Sequence, residues 1–467
     1  MRRVELSSLT GIRFYAALFV YLYHVHVIPG AERFTSQRLL FNLGDLGVSL
    51  FFVLSGFILT YNYAETFLNG VSAGSYKGFV WDRLTKIYPV HVLTLLLVLP
   101  VAILSPRMPL DWRAVPIHLL LLQCFWPSST PAFSDSLNVP SWSISCEWFF
   151  YLLAPVTMFL VLGNRRRWIP VIAILGYACG LVLFLSQGQP DSTRLYFVSR
   201  FAPSRFVEFL VGVFTARVFL NSLGQKPAAA SGRAQAAGVV LIIAGAVYAP
   251  YAAWPLLGGG LLYVPGSVLL ILGLAHGHGV VAAHLSQPWI KRLGLASFSF
   301  YLIHMPVLRM VKGFYLRLGS SVHSQPAFWA VLIGTFMVVQ TAALLVWSGY
   351  EVPSQTRLRG WLAQRRDVRG SDPLRRSGSA QRVTPRYLLL VKRQHPELAR
   401  DLQSLFATEA KLEVLMERRL VERRQSSVDV IYDRRQTNRR AQPQADIELR
   451  IRSLSEDRSR RMDSATG

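Results

Sequence analysis

Charge is scarce in this chain. Of 467 residues, only 16% are Asp, Glu, Lys or Arg, against roughly 25% in a soluble domain. Carboxylates are the scarcest, 26 against 50 Lys and Arg. That balance excludes an ordinary soluble globular protein. Cysteine is scarcer still: Cys124, Cys146 and Cys179 stand at no metal-ligand spacing and form no disulfide framework. His276, His278 and His284 fall in a Gly-rich segment with no carboxylate beside them, so no metal site is expected there. The first apolar run, Leu9 to Ile28, has no clear cleavage pattern after it and is too long for a signal-peptide core, so it reads as a retained signal anchor.

What is abundant is apolar side chain, 52% of residues, with a mean hydropathy of +0.32. The fold class this implies is an all-α polytopic membrane protein. Apolar runs of spanning length recur at roughly 9–28, 45–64, 87–105, 142–162, 168–186, 204–221, 236–254, 257–275, 295–313 and 327–349, about ten transmembrane helices in a bundle. A further run, Val115 to Phe125, is too short to span and suits a re-entrant or interfacial segment. With the amino terminus inside, the cytoplasmic segments hold Arg2/Arg3, Lys77/Arg83/Lys86, Arg165/Arg166/Arg167, Arg217/Lys226/Arg233 and Lys291/Arg292, then an Arg-rich tail. The opposite side holds scattered charges only, so the positive-inside rule favours an even number of spans with both termini cytoplasmic.

The chain divides at about residue 356. Residues 1–356 carry 24 basic and 11 acidic residues, and the rest carries 26 and 15. Residues 357–384 are polar, basic and rich in Gly and Ser, a flexible linker. Residues 385–467 read as a small cytoplasmic α/β appendage or a partly disordered basic tail. Strand-like runs fall at 386–393 and 411–416, helical patterns at 396–408 and 444–454, and repeated Arg pairs lie between them. Its basic excess suits anionic lipid head groups or another polyanion; no nucleic acid partner is expected.

Ionisable residues inside spans are costly and mark candidate functional sites. Arg13 and His24 share one face of the first span, eleven residues and about 16 Å apart. Arg13 could instead snorkel to the interface while His24 bonds a neighbouring helix. Ser143, Glu147 and Tyr151 fall at i, i+4 and i+8 of the fourth span, on one face. Arg205 and Glu208 form an i, i+3 pair at the start of the sixth, which either neutralises itself or meets substrate. Ser297, Tyr301 and His304 form a polar face on the ninth. By this topology His24, Glu147, Arg205 and Glu208 share the outer half of the membrane, His304 lies near mid-depth and Arg13 lies nearer the cytoplasm. Imidazole and carboxylate suit general acid–base chemistry near neutral pH. His26 faces away from His24. The small residues Gly47, Ser49, Ser55 and Gly56 suit close helix packing.

Taken in order, these segments resemble the integral membrane acyltransferase-3 family of glycan O-acyltransferases. The resemblance rests on Arg13 with ten residues before His24, Gly47–Phe57 (GVSLFFVLSGF), Arg83 with Ile87-Tyr88-Pro89, Ser141–Glu147 (SWSISCE), the RFVEF of Arg205/Glu208, and Leu293–His304 (LGLASFSFYLIH). It covers roughly residues 8–350. One departure is Lys86, where the family usually shows a second Arg; charge is kept, the bidentate fork is lost.

The resemblance implies transfer of an acyl group, usually acetyl, from acyl-CoA on the cytoplasmic side to a hydroxyl of an envelope or exopolysaccharide glycan, or a lipid-linked sugar. The expected localisation is the inner (plasma) membrane. Acyl-CoA would be a co-substrate rather than a resident cofactor. Arg13, Arg83 and Lys86 would meet the CoA phosphates. His24 would act as general base, with Glu147 orienting or charge-compensating it and Arg13 completing the catalytic set. Arg205, Glu208, Tyr301 and His304 would shape the acceptor pocket or stabilise the oxyanion. Direct transfer and a covalent acyl-enzyme both stay open, with Ser55, Ser143 and Ser297 as relay candidates. A different class also fits buried ionisable groups: a proton-coupled transporter or flippase of a glycan or lipid-linked sugar. Against it, the two halves show no inverted repeat.

Overall fold

A computed structural model describes residues 6–34, 37–103, 110–125, 137–163, 192–222, 228–249, 258–370 and three short strands beyond. The expected span at 168–186 (save Gly176 and Gly180), Cys179 and the expected helix at 396–408 lie outside the described residues. Two units are distinguished, residues 1–366 and 367–467.

The first unit is helical throughout its described residues. Its longer helices are α1 (Ser7–His24), α2 (Gln37–Phe67), α3 (Ala73–Ile103), α5 (Ser141–Leu162), α7 (Ala202–Asn221), α8 (Ala228–Tyr248), α9 (Val264–Ala275), α12 (Ser297–Arg317), α13 (Gln325–Val346) and α14 (Val352–Gly370). Shorter ones are α4 (Ala114–Leu119), α6 (Ser192–Ser199), α10 (Val280–Leu285) and α11 (Pro288–Leu295). Five helical stretches are long and apolar enough to cross a membrane: Leu43–Phe67, Ala73–Ile103, Ser141–Leu162, Ala230–Tyr248 and Gln325–Leu362. Helices α11 and α12, bent by 62° across one break, make a sixth if counted together. The count of ten rests on apolar runs that include shorter helices such as α1 and α9.

Three boundaries differ from the sequence reading. The first helix stops at His24, where a 3-10 turn, Val25–Val27, takes over; Pro29 lies just beyond, and the residue before a proline is pushed out of the helical region. Helix α3 begins fourteen residues before the expected span, so Arg83 and Lys86 sit within it and not in a connection. The run at 115–125 splits into α4 and a 3-10 turn, Gln123–Phe125, with Leu121 at φ 58° between them.

Helices α2 and α7 cross with backbones in contact. A Cβ on Gly56 would stand 2.1 Å from the Phe209 carbonyl oxygen, and one on Gly212 would stand 2.0 Å from that of Val53. Only glycine permits this approach, and the expected small-residue packing in Gly47–Phe57 is realised at Gly56. Around the crossing, Phe52, Phe150, Phe206 and Phe209 interlock, with ring centroids 5.0 to 5.7 Å apart in successive pairs. Aromatic stacking on both sides holds α2, α5 and α7 as one block.

In the second unit, strands β1 (Tyr387–Val391), β2 (Leu412–Met416) and β3 (Arg450–Ser453) form a sheet of order β2-β1-β3, with β2 parallel and β3 antiparallel to β1. β1 and β2 coincide with the strand-like runs. β3 lies where a helix, 444–454, was expected. It is an edge strand whose pairing with β1 is remote in sequence, and no local period announces such a partner.

Candidate active site

One pocket gathers residues from five helices. Arg13 comes from α1, Ser55 from α2, Arg83 and Lys86 from α3, Ser143, Glu147 and Tyr151 from α5, and Tyr301 from α12. Its remaining walls are apolar, among them Phe51, Phe52, Ile58, Ile87 and Phe298, and it holds about 780 Å³ of atom-free space, its mouth included. Mostly apolar walls with a few placed polar groups are the usual make-up of a small-molecule site.

The polar groups are arranged with purpose. The i, i+4 spacing on α5 lets the Tyr151 hydroxyl donate to Glu147 Oε2 at 2.9 Å. Ser143 Oγ and the Tyr301 hydroxyl lie 2.7 Å apart, and each is within bonding distance of the Pro140 carbonyl. Arg83 is tied to its neighbour Asp82, which also accepts from the Tyr63 hydroxyl at 2.6 Å. Its guanidinium rests over the rings of Tyr63 and Phe79, 5.5 and 5.9 Å away. Arg13 and Lys86 make no ion pair within 4 Å among the described residues. Two uncommitted cations on an apolar pocket are suited to an anionic ligand. Ser297 Oγ, one of the relay candidates, is buried without a hydrogen-bond partner among the described residues.

His24 and His304 form a second cluster. Both are buried, His304 completely, and His304 Nε2 lies 3.2 Å from His24 Nδ1. His24 Nδ1 also donates to the Val20 carbonyl at 2.8 Å. A carbonyl only accepts, so the proton sits on Nδ1 and the Nε2 lone pair is left to accept. His24 therefore faces protein rather than hydrocarbon. The clusters adjoin at Tyr301, whose ring centroid lies 5.9 Å from that of His304.

The expected Glu147–His24 partnership is not what the structure places together. No hydrogen bond joins them; Glu147 bonds Tyr151 and shares the pocket with Arg13, Arg83 and Lys86. Sequence topology assigned it to the outer half with His24, but depth along α5 does not fix which neighbours its face meets.

Arg205 and Glu208 form a third cluster, outside the pocket lining. The fork is bidentate, 2.7 Å from Nε to Oε2 and 3.1 Å from Nη2 to Oε1. Arg205 Nη1 donates to the Ser199 carbonyl at 2.9 Å, and the guanidinium lies over Phe52 and Trp142. Ser49 Oγ bonds Glu208, and also reaches the Gly260 carbonyl at 2.9 Å. With 2% and 0% of their side chains exposed, the two charges are compensated within the fold. Of the two roles weighed for them, self-neutralisation is the one this geometry displays, and direct contact with a substrate in the pocket is not.

Two carboxylates in this region escaped the sequence reading. Asp82 shares the Arg83 box but was passed over, and the adjacent Arg was the signal for it. Glu351 follows the last apolar run and belongs to no motif; its only signal was a lone acid at the end of an apolar span.

A pocket of cations and apolar walls, set beside a buried imidazole pair among helices of spanning length, describes a membrane protein. Comparison with known proteins makes this specific. The family model described as an acyltransferase domain, acyltransferase-3, matches residues 6–347, and the chain belongs to that family. It is 30% identical over 334 residues to Acyltransferase MdmB of Streptomyces mycarofaciens, covering 66% of this chain and 80% of that protein. It is 26% identical over 389 residues to YrhL of Bacillus subtilis, provisionally named a peptidoglycan O-acetyltransferase, covering 78% of this chain and 56% of YrhL. A provisionally named O-acetyltransferase of Staphylococcus aureus (strain COL) is 24% identical over 331 residues, 67% of this chain and 52% of that protein. The chain thus spans about half the length of the latter two. No solved structure matches it. The protein is an enzyme that transfers acyl groups.

Proposed function

We propose that this protein is an O-acyltransferase of the inner membrane, with both termini cytoplasmic and about ten spans. It moves an acyl group, acetyl first among them, from acyl-CoA at the cytoplasmic side to a hydroxyl of an envelope or exopolysaccharide glycan or its lipid-linked precursor. The observation that carries this reading is the pocket that joins Arg13 and Lys86 to apolar walls and includes Tyr301, which adjoins His304.

In this reading the donor's phosphates meet Lys86 and Arg13, with Arg83 beside them, and its thin pantetheine arm follows the apolar walls. His24 Nε2 takes the proton of the acceptor hydroxyl. The freed oxygen attacks the thioester carbonyl, the C–S bond breaks, and the departing thiolate takes the proton back from the imidazolium. The Ser143 and Tyr301 hydroxyls would turn from the Pro140 carbonyl to donate to the thioester carbonyl oxygen as it gains charge. Glu147 balances the pocket cations. Lipid surrounds the bundle and its Arg-rich tail meets anionic head groups.

The test is transfer of labelled acetyl from acetyl-CoA to endogenous glycan in membranes holding the protein. His24→Ala should lower it by a factor on the order of 10²–10⁴ at equal protein level. Sugar flux with no CoA release would overturn the assignment.

A further inference from the structure

Helix α12 bears Tyr301 and His304, and it also holds a proline, Pro306, in its interior. Proline has no N–H, so the carbonyl four residues earlier loses its helical donor, and the ring crowds that carbonyl outward. Here the carbonyl is that of Leu302. Asn138 takes the place of the missing donor: its Nδ2 donates to the Leu302 carbonyl at 2.9 Å. The replacement bond therefore acts on the turn from Leu302 to Pro306, the turn on which His304 stands. His304 Nε2 in turn lies 3.2 Å from His24 Nδ1, so the placing of this turn decides how the His24 ring is met.

Asn138 is itself fixed. It belongs to a short strap, Leu137–Pro140, that leads into α5, and its carbonyl accepts from the Ser141 N–H at 2.9 Å. The strap meets α12 on both sides of Pro306. Before it, the Tyr301 hydroxyl donates to the Pro140 carbonyl at 3.2 Å; beyond it, Arg309 donates to the carbonyl of Leu137. Stability alone does not account for the amide. Asn138 is fully buried, and its Oδ1 has no hydrogen-bond partner among the described residues. A polar atom stripped of water without a partner costs about as much as the Nδ2 bond returns, or more. What Asn138 supplies is place: a donor at one fixed point, facing the carbonyl that Pro306 released.

We propose that Asn138 is a positioning residue for acyl transfer: standing in for the N–H that Pro306 lacks, it fixes the turn bearing His304 and, through it, the ring of His24. This rests on the reading of His24 as general base above. The bond matters most during the reaction. When Tyr301 turns from the Pro140 carbonyl to the thioester, Asn138 and Arg309 still join the strap to α12.

The experiment is a double-mutant cycle between Asn138 and Pro306. It is read as acetyl transfer from acetyl-CoA in membranes, per folded molecule, with folded protein quantified by size-exclusion chromatography. Asn138→Ala should lower kcat about tenfold, the order of loss that a small misplacement of a catalytic group brings, with the KM for acetyl-CoA unchanged. Pro306→Ala returns an N–H to the helix and satisfies the Leu302 carbonyl from within. In that background Asn138→Ala should lower kcat no further. Asn138→Ser, which keeps a shorter donor, should lose less than Asn138→Ala. If Asn138→Ala does not fold, Asn138→Ser makes the same comparison in both backgrounds. An unchanged kcat, an equal fall in both backgrounds, or a loss seen only as less folded protein overturns the proposal. Failure of the parent to use acetyl-CoA, or full activity in His24→Ala, would instead overturn the reading on which it rests.

Discussion

Removing Arg205 alone should be among the most damaging single changes in the bundle, and removing Glu208 with it should cost less than the two losses combined. Arg205 makes two charge-assisted bonds to Glu208, one to the Ser199 carbonyl, and rests over two aromatic rings. With Arg205→Met, Glu208 keeps only Ser49 as a donor in a place with no solvent contact. Breaking a buried pair from one side costs about 3–5 kcal/mol. Glu208→Met alone strands the guanidinium at a similar cost. If the effects were independent, the double variant would lose about 6–10 kcal/mol, the sum of those two losses. Replacing both partners by apolar groups removes the unpaired charge, so the double variant should lose no more than the worse single one, a coupling of at least about 3 kcal/mol. Thermal unfolding of the four purified proteins in detergent measures this, with acyl transfer per folded molecule followed in parallel. Should the single variants melt with the parent yet lose transfer, the pair would be working on substrate, and its reading as a structural clamp would be wrong.

Other outcomes follow from the separation of the clusters. His24→Ala should lower kcat by a factor on the order of 10²–10⁴, the usual worth of a general base, while Glu147→Gln should act mainly on the KM for acetyl-CoA; steady-state kinetics separates the two. His304→Ala should lower kcat by less than His24→Ala does, because it supports that ring rather than taking the proton. Gly212→Ala puts a Cβ 2.0 Å from the Val53 oxygen, and helices α2 and α7 must part by about 1 Å to relieve it; overpacking of this kind costs about 1–3 kcal/mol, visible as a lower melting temperature. A chain ending at Gly370 should keep its donor KM, which titration of acetyl-CoA against the truncated and full chains decides.

The helix α5 was legible because its polar residues repeat at the helical period on an apolar ground, and the Tyr151–Glu147 bond is what that period requires. The start of α3 was not, because Lys77, Asp82, Arg83 and Lys86 depress local hydropathy and mimic a connection. In the fold Asp82 answers Arg83 and is itself met by Tyr63 and Arg359, and those last two come from other segments. The same holds for the site. Arg13, Arg83, Lys86, Glu147 and Tyr301 stood out as costly polar groups in apolar runs, and they do line one pocket. Which of them meet His24 depends on helix rotation and tilt, which depth along a span does not give. Glu351 stayed invisible because Ser299, which bonds its carboxylate, sits on another helix.

Helix α1 is unbroken between Arg13 and His24. Its backbone is therefore a gauge of fixed length and phase: adding one residue between them would swing the imidazole by about 100° and lengthen the reach by 1.5 Å. A four-residue addition would restore the phase within about 40° but stretch the gauge by about 6 Å. Along this stretch the chain can tolerate exchange of side chains far more readily than any change in their number.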